Sequence, residues 1–267
     1  MAHRPRKRFG QNFLHDPAII QRIVNAIHPR PGERIVEIGP GQGALTTQIL
    51  PLIGTMDAVE LDRDLLEPLQ EKCTPLGQLN LHAADALKFD YCQLCESADQ
   101  KLRIVGNLPY NISSPLLFHL MEQRHCIKDM HFMLQKEVVQ RITAQPGSGH
   151  YGRLSIMLQY FCEAEMLFTV APGAFFPPPK VDSAVFRLIP HQSPAMQASD
   201  EDLLSRVVSV SFSQRRKTIR NNLKGLVDEQ VLRELNIDPG LRPERLELAQ
   251  FVQLANWLYD NKKHNEL

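Results

Sequence analysis

The sequence predicts a doubly wound α/β sheet followed by a small, all-helical unit. Three observations carry that expectation. Short apolar runs of strand length alternate with helical patterns between residues 34 and 144, a glycine-rich turn follows the first of those runs, and only helical periodicity is found beyond residue 200. In chain order, Asp16 can cap and Pro17 suits a first turn, so a helix starts there and carries Ile19, Ile20, Ile23, Val24 and Ile27 on one face until Pro29. Strands are expected over 34–38, 56–61, 79–83, 102–106 and 130–134. Helices are expected between them over 44–50, over 64–72 with Pro68 as a weak point, from Ser114-Pro115 to Met121, and over 136–144. Two further strands, 163–170 and 183–189, flank the proline-rich loop 171–180 and read as an antiparallel pair closing the sheet. After a polar linker over 191–199, helices are expected over 202–212, 216–223, 228–235 and 248–259, the last with core-spaced Phe251, Leu254, Trp257 and Leu258. These patterns divide the chain into a large domain, residues 1–190, and a small helical one, residues 191–267.

At 267 residues the chain can bury one large core plus an appendix, and its 43% hydrophobic and 22% charged residues are ordinary for a globular protein. The net charge of +0 excludes a uniformly basic coat, so any nucleic-acid grip has to come from local clusters. Two exist: Arg4, Arg6, Lys7 and Arg8 at the start, and Arg215-Arg216-Lys217 with Arg220 and Lys224. No apolar stretch of signal-peptide or bilayer-spanning length is present, so a cytoplasmic protein with no membrane partner is expected. Five scattered cysteines, Cys73, Cys92, Cys95, Cys126 and Cys162, suit a reducing compartment. Cys92-x-x-Cys95 is half of a zinc pattern with no second pair at finger spacing, so no metal is expected and the thiols read as structural or incidental.

The loop Glu37-Ile38-Gly39-Pro40-Gly41-Gln42-Gly43 stands where the first sheet strand turns into a helix, the place where open α/β sheets bind nucleotides. Its G-x-G-x-G spacing differs from the dinucleotide pattern G-x-G-x-x-G, which argues against hydride transfer. Glu60 ends the second strand, where a carboxylate can accept hydrogen bonds from both ribose hydroxyls, and Asp85 follows the third, where it can accept from an adenine amine. Asn107-Leu108-Pro109-Tyr110 follows the fourth and sets a hydrogen-bond acceptor beside a flat ring, equipment for a planar base. Each feature alone has a plain alternative: a turn, a surface acid, a strand terminator. Together they fall in order after four successive strands of one parallel sheet, converge on one edge, and describe a pocket for S-adenosylmethionine.

The glycine loop with Asn107-Leu108-Pro109-Tyr110 resembles the adenine-N6 methyltransferases that use S-adenosylmethionine. Arg6-Lys7-Arg8-Phe9-Gly10-Gln11-Asn12-Phe13-Leu14, Phe175-Phe176-Pro177-Pro178-Pro179-Lys180-Val181-Asp182-Ser183-Ala184-Val185 and Phe212-Ser213-Gln214-Arg215-Arg216-Lys217 narrow the likeness to the KsgA family, the small-subunit rRNA adenine dimethyltransferases, from about residue 6 to about residue 259. The resemblance implies a Rossmann-like methyltransferase domain with a small helical rRNA-binding domain. It implies S-adenosylmethionine as cofactor, held by Asn12, Leu14, Gly39, Gly41, Glu60, Asp85 and Asn107. It implies that Asn107, Leu108, Tyr110 and Phe175 hold the base, and that Arg6, Lys7, Arg8, Arg215, Arg216 and Lys217 grip RNA phosphates. Phe176 departs from the family pattern, where a small polar residue is commoner.

The implied reaction is dimethylation of two adjacent adenines in the hairpin loop near the 3′ end of 16S rRNA in the small subunit, by a monomer, with a role in subunit biogenesis. Three rivals are a noncatalytic RNA-binding assembly factor, a large-subunit rRNA methyltransferase and a DNA adenine methyltransferase. The presence of Glu60, Asp85 and Asn107 counts against the first. The Phe-Ser-Gln-Arg-Arg-Lys stretch and Leu108 count against the second, and Leu-Pro in place of Pro-Pro against the third. His119, His125 and His131 are assigned no role.

Overall fold

One short ladder and one long sheet organise the first part of the chain. The computed structural model describes residues 12–97 and 99–265, with side chains through Asn261. β1 (Phe13–Leu14) is followed by α1 (Pro17–Ile27), whose first amides are satisfied as expected: Asp16 Oδ1 accepts the N–H of Ala18 at 2.9 Å and of Ile19 at 3.2 Å. β2 (Arg34–Ile38), α2 (Thr46–Ile53), β3 (Thr55–Glu60), α3 (Leu66–Cys73), β4 (Gln78–Ala83), β5 (Leu102–Asn107), α4 (Ser113–Glu122), β6 (Ile127–Gln135) and α5 (Lys136–Ile142) then give the expected alternation. Pro68 is accommodated because α3 starts at Leu66, so its missing N–H falls in the first turn where no partner is needed.

The sheet has seven strands in the order β4-β3-β2-β5-β6, then β9 (Ser183–Pro190), then β7 (Cys162–Val170) at the edge. β2 to β6 run parallel and β9 runs antiparallel to β6, with Phe132 opposite Phe186. The strand order reverses between β2 and β5, which places a crevice at their carboxyl ends. There the backbones come very close: a Cβ on Gly106 would lie 2.5 Å from the Ile38 carbonyl oxygen, so only glycine fits. A two-stranded ladder between β1 and β8 (Phe175–Phe176) stands apart, pairing Phe13 with Phe176 and Leu14 with Phe175. The sequence reading contained neither of these short strands.

The chain forms two compact units, residues up to 139 with 163–190, and residues 140–162 with 191 onward. The second unit thus includes a segment that the sequence reading placed in the large domain. It contains α6 (Arg153–Phe161), which was not expected; seven of its nine residues are buried, leaving no polar stripe to mark a helical period. The second unit continues with α7 (Glu201–Ser211), α8 (Ile219–Asn222), α9 (Glu229–Glu234) and α10 (Leu248–Asn265). Phe212 links its core, with ring centroids 5.9 Å from Phe251 and 6.5 Å from Tyr151. The expected helix over 216–223 shrinks to four residues, and Arg216 and Lys217 lie in the preceding turn.

Candidate active site

Four strand ends of the first unit open into one cavity of about 340 Å³, lined by the residues that follow β2, β3, β4 and β5 and by Asn12, Phe13 and Leu14. Gly39 and Gly41 lie in the loop after β2, with φ of 65° and 56°. Gly41 is dictated by its neighbour as well as by its dihedral: a Cβ there would meet the Phe13 ring at 3.1 Å. The ring therefore lies against the loop, and its backbone is bare where a ligand would approach. Glu60 is 8% exposed at the end of β3; its Oε2 accepts the Gly41 amide at 3.2 Å and its Oε1 the Asp62 amide at 2.9 Å. Burial pushes its carboxyl up from the ordinary value, against the pull of the Asp62 and Gly41 amides. Each oxygen of a carboxylate has a second lone pair, so a carboxylate clamped in this way can still accept from a diol. Asp85 follows β4, and its Oδ1 takes the Leu87 amide at 3.0 Å, which fixes the orientation of the group.

Asn107 ends β5. Its Nδ2 donates to the Asn12 carbonyl at 2.9 Å, and among the described residues its Oδ1 has no hydrogen-bond partner. Leu108 is anchored through its N–H to the Met133 carbonyl at 3.2 Å. The Tyr110 hydroxyl bonds Ser183 Oγ at 2.8 Å, and Ser113 Oγ donates to the Tyr110 carbonyl at 3.1 Å, so both the ring and the turn are held. The cavity wall thus combines a fixed amide oxygen with an anchored aromatic ring.

Asn12, Leu14, Gly39, Gly41, Glu60, Asp85, Asn107, Leu108 and Tyr110 all line this cavity. Phe175 is not among the residues that line it: it is 2% exposed and packs in the core with Leu14, whereas its neighbour Phe176 is 65% exposed. Alternation along β8 is the reason, because successive side chains point to opposite faces and pairing with β1 turns Phe175 inward. Arg6, Lys7 and Arg8 lie outside the described residues. Arg215, Arg216 and Lys217 are exposed in the turn between α7 and α8, within the second unit. That turn is built: Asn222 Nδ2 reaches the carbonyls of Gln214 and Lys217 at 3.3 and 3.4 Å, and Arg215 Nη2 donates to the Gly149 carbonyl at 2.7 Å. Arg220, counted with this cluster in the sequence, is engaged by Glu229 at 2.9 Å.

Phe13 and Glu37 also line the cavity without a role in the sequence reading, and Glu37 is fully buried near the end of β2 and accepts from Thr46 Oγ1 at 2.6 Å. Burial raises its carboxyl to about 7, and the charge of Glu60 adds to the rise. An acid inside an otherwise apolar strand was the available signal.

The donor set and the bare glycine loop fit a nucleoside-containing cofactor: two clamped carboxylates after adjacent strands, glycines that let the backbone approach, and an amide after the fourth sheet strand. The comparisons with known proteins agree. The family model for ribosomal RNA adenine dimethylase matches residues 2–260. The chain is 58% identical over 256 residues to ribosomal RNA small subunit methyltransferase A of Pseudomonas aeruginosa, covering 96% of this chain and 95% of that one. It is 53% identical over 264 residues to the protein of the same name from Vibrio parahaemolyticus, covering 99% and 98%. Among solved structures it resembles a dimethyladenosine transferase from Plasmodium falciparum, with TM-score 0.80, 27% identity and coverage of 94% and 98%. It also resembles the 23S rRNA methyltransferase ErmE, with TM-score 0.72, 26% identity and coverage of 93% and 100%. A Rossmann-like sheet with this cavity at its switch point, matched over nearly its whole length, makes the chain a member of the ribosomal RNA adenine dimethylase family.

Proposed function

We propose that the protein uses S-adenosylmethionine to dimethylate N6 of two adjacent adenines in the hairpin loop near the 3′ end of 16S rRNA, in the small subunit or its precursor. It works in this reading as a cytoplasmic monomer with a role in subunit biogenesis. The observation that carries it is Asn107, whose amide nitrogen is committed to Asn12 while its oxygen is left as an acceptor in the cavity wall. Among the described residues no helix is long and apolar enough to cross a membrane.

When bound, S-adenosylmethionine supplies an electrophilic sulfonium methyl. The protein has to supply position and a nucleophile. An adenine amine is a poor nucleophile because its lone pair is delocalised into the ring. Asn107 Oδ1 and the Leu108 carbonyl, each accepting an N6 hydrogen, favour the tetrahedral nitrogen and stabilise positive charge as it develops. Pro109 fixes the turn between them and Tyr110. The Tyr110 ring, tethered through Ser183, stacks on the base, an interaction worth about 1–3 kcal/mol. Glu60 and Asp85 hold the ribose and adenine of the cofactor, with backbone amides keeping each carboxylate in place. No general base is needed, because the methylated amine loses its proton readily to water. Arg215, Arg216 and Lys217 grip phosphates without reading sequence.

The test is incubation with labelled S-adenosylmethionine and small subunits that lack this methylation, followed by mapping of the label. Label on the two adjacent adenines is the expected result. Label only on large-subunit RNA or on DNA would sink the proposal, and no label would turn it toward a noncatalytic assembly factor.

A further inference from the structure

The ends of the strands opposite the cavity carry a cluster of soft donors that the methyl-transfer chemistry does not use. Cys92 and Cys126, 34 residues apart in sequence, are joined as a disulfide. His125 Nε2 lies 3.4 Å from Cys92 Sγ, and the three donor atoms of Cys92, His125 and Cys126 are all within 4.8 Å of one another. Cys95 is the next sulfur along the chain, a free thiol whose Sγ is 4.0 Å from the Cys126 carbonyl oxygen. A disulfide needs two sulfurs and no imidazole. Two sulfurs and an imidazole converging from two short turns, with a third thiol, Cys95, at the end of the turn that carries Cys92, fit the donor set of a tetrahedral zinc site.

The scaffold under these donors is rigid. Cys92 opens one 3-10 turn, Cys92–Leu94, and Cys126 closes another, Arg124–Cys126. Gln123 clamps the two together: its Oε1 accepts the Tyr91 amide at 2.6 Å and its Nε2 donates to the Phe89 carbonyl at 3.1 Å. The Tyr91 hydroxyl returns to the Ala86 carbonyl at 3.1 Å, and Lys101 Nζ donates to the His125 carbonyl. The donors are thus held by a network of hydrogen bonds that exists without them, as a preorganised metal site requires. Cys126 directly precedes β6, and Glu96 reaches Arg34 at the start of β2 at 2.8 Å, which puts the cluster at the amino ends of the strands.

We propose that in the reduced chain Cys92, His125 and Cys126, with the Cys95 thiol on the same turn as Cys92 completing the set, bind one zinc-class divalent cation that fastens the segment after β4 to the corner before β6. Reduction by a dithiol converts the Cys92–Cys126 bond to two thiols while the dithiol becomes a disulfide. The cation then displaces the thiol protons, one released to solvent for each thiolate bound. The disulfide and the metal are alternative fastenings of the same two turns.

The test uses the full chain kept reduced, with Co²⁺ as the spectroscopic probe and Zn²⁺ as the competitor. The expected result is one cation per chain retained after desalting, with the thiolate charge-transfer and ligand-field bands of a tetrahedral cobalt site that collapse on adding Zn²⁺. Tight one-to-one binding is lost in Cys126→Ser and in His125→Ala, and is kept in Cys73→Ala, a thiol elsewhere in the core. A second measurement needs no variant: bound Zn²⁺ protects Cys92 and Cys126 of the wild-type chain from alkylation, read by peptide mass. Reduced wild-type protein that retains no cation, unchanged binding by Cys126→Ser, or equal alkylation with and without Zn²⁺ would overturn the proposal.

Discussion

Near the amino end of β5 the Arg103 guanidinium has every nitrogen engaged, whereas at the carboxyl ends of the same sheet polar groups are held on one side and open on the other. Arg103, on β5, donates through Nε to Asp129 at 3.0 Å, through Nη2 to the Ile27 carbonyl at 2.6 Å and through Nη1 to Glu33 at 2.5 Å, and Lys128 adds a second cation to Glu33 at 2.9 Å. At the other end, Asn107 commits its nitrogen to Asn12 and leaves its oxygen, and Glu60 receives one backbone amide on each oxygen. The difference teaches what a polar group near a strand end is for. A saturated one stabilises the fold, and one that is fixed but half-used positions a ligand.

The comparison breaks most visibly at Arg103. Arg103→Ala takes the guanidinium from two carboxylates, leaving Glu33 to Lys128 and Asp129 to His131, so a loss of about 3 kcal/mol is expected in denaturant unfolding. Burial alone would raise Glu33 and Asp129, but Lys128 and Arg103 hold the first low, and His131 and Arg103 the second. Depressed carboxyls contribute stability that is present above their unfolded values and lost as pH falls. The wild type should therefore lose stability on acidification more steeply than the variant.

At the open end, Asn107→Ala should lower methyl transfer by about 10²–10³-fold, the usual cost of removing one group aimed at developing charge. Cofactor binding should weaken but stay detectable, with stability nearly unchanged. Equal loss of binding and transfer, measured by calorimetry and label incorporation, would move Asn107 from base to cofactor. Glu37 sharpens the contrast in the opposite direction. Its carboxyl is raised to about 7, so the folded chain binds its proton more tightly than the unfolded one, and stability falls as pH rises from 4.5 to about 7. Glu37→Gln, which keeps an acceptor for Thr46, should stabilise the ligand-free protein at pH 8 by on the order of 3 kcal/mol, a gain that vanishes near pH 4. The smallest effect concerns the exposed ring of β8. Phe176→Ala should raise the KM for RNA with the melting temperature unchanged if that exposed ring stacks on RNA, at about 1–3 kcal/mol. Phe175→Ala should instead lower the melting temperature, because it leaves a cavity in the core.

Much of the open end was legible in the sequence because parallel topology turns order along the chain into proximity. Once the runs ending at Ile38, Glu60, Ala83 and Asn107 are read as parallel strands, the residues that follow them must meet. What was not legible depends on pairing across long distances. Whether Phe175 or Phe176 faces inward is decided by β1, some 160 residues earlier, and nothing in the local pattern of two adjacent phenylalanines distinguishes them. Cys92 meets His125 and Cys126 across a corner closed by Gln123, so the donors do not stand at the spacing by which zinc motifs are recognised. The 140–162 segment joins the second unit through α6, whose all-round burial hides its period, and Arg103 sits in an apolar run where a charge reads as an interruption.

The reversal of strand order between β2 and β5 also governs when the protein becomes competent. The chain visits β3 and β4 before it returns to lay β5 beside β2, so one wall of the cavity is synthesised about 65 residues after the other. A nascent chain that ends before Leu102 holds the glycine loop, Glu60 and Asp85 but lacks the strand against which Ile38 closes. The cavity is therefore complete only once β5 has been made and laid beside β2.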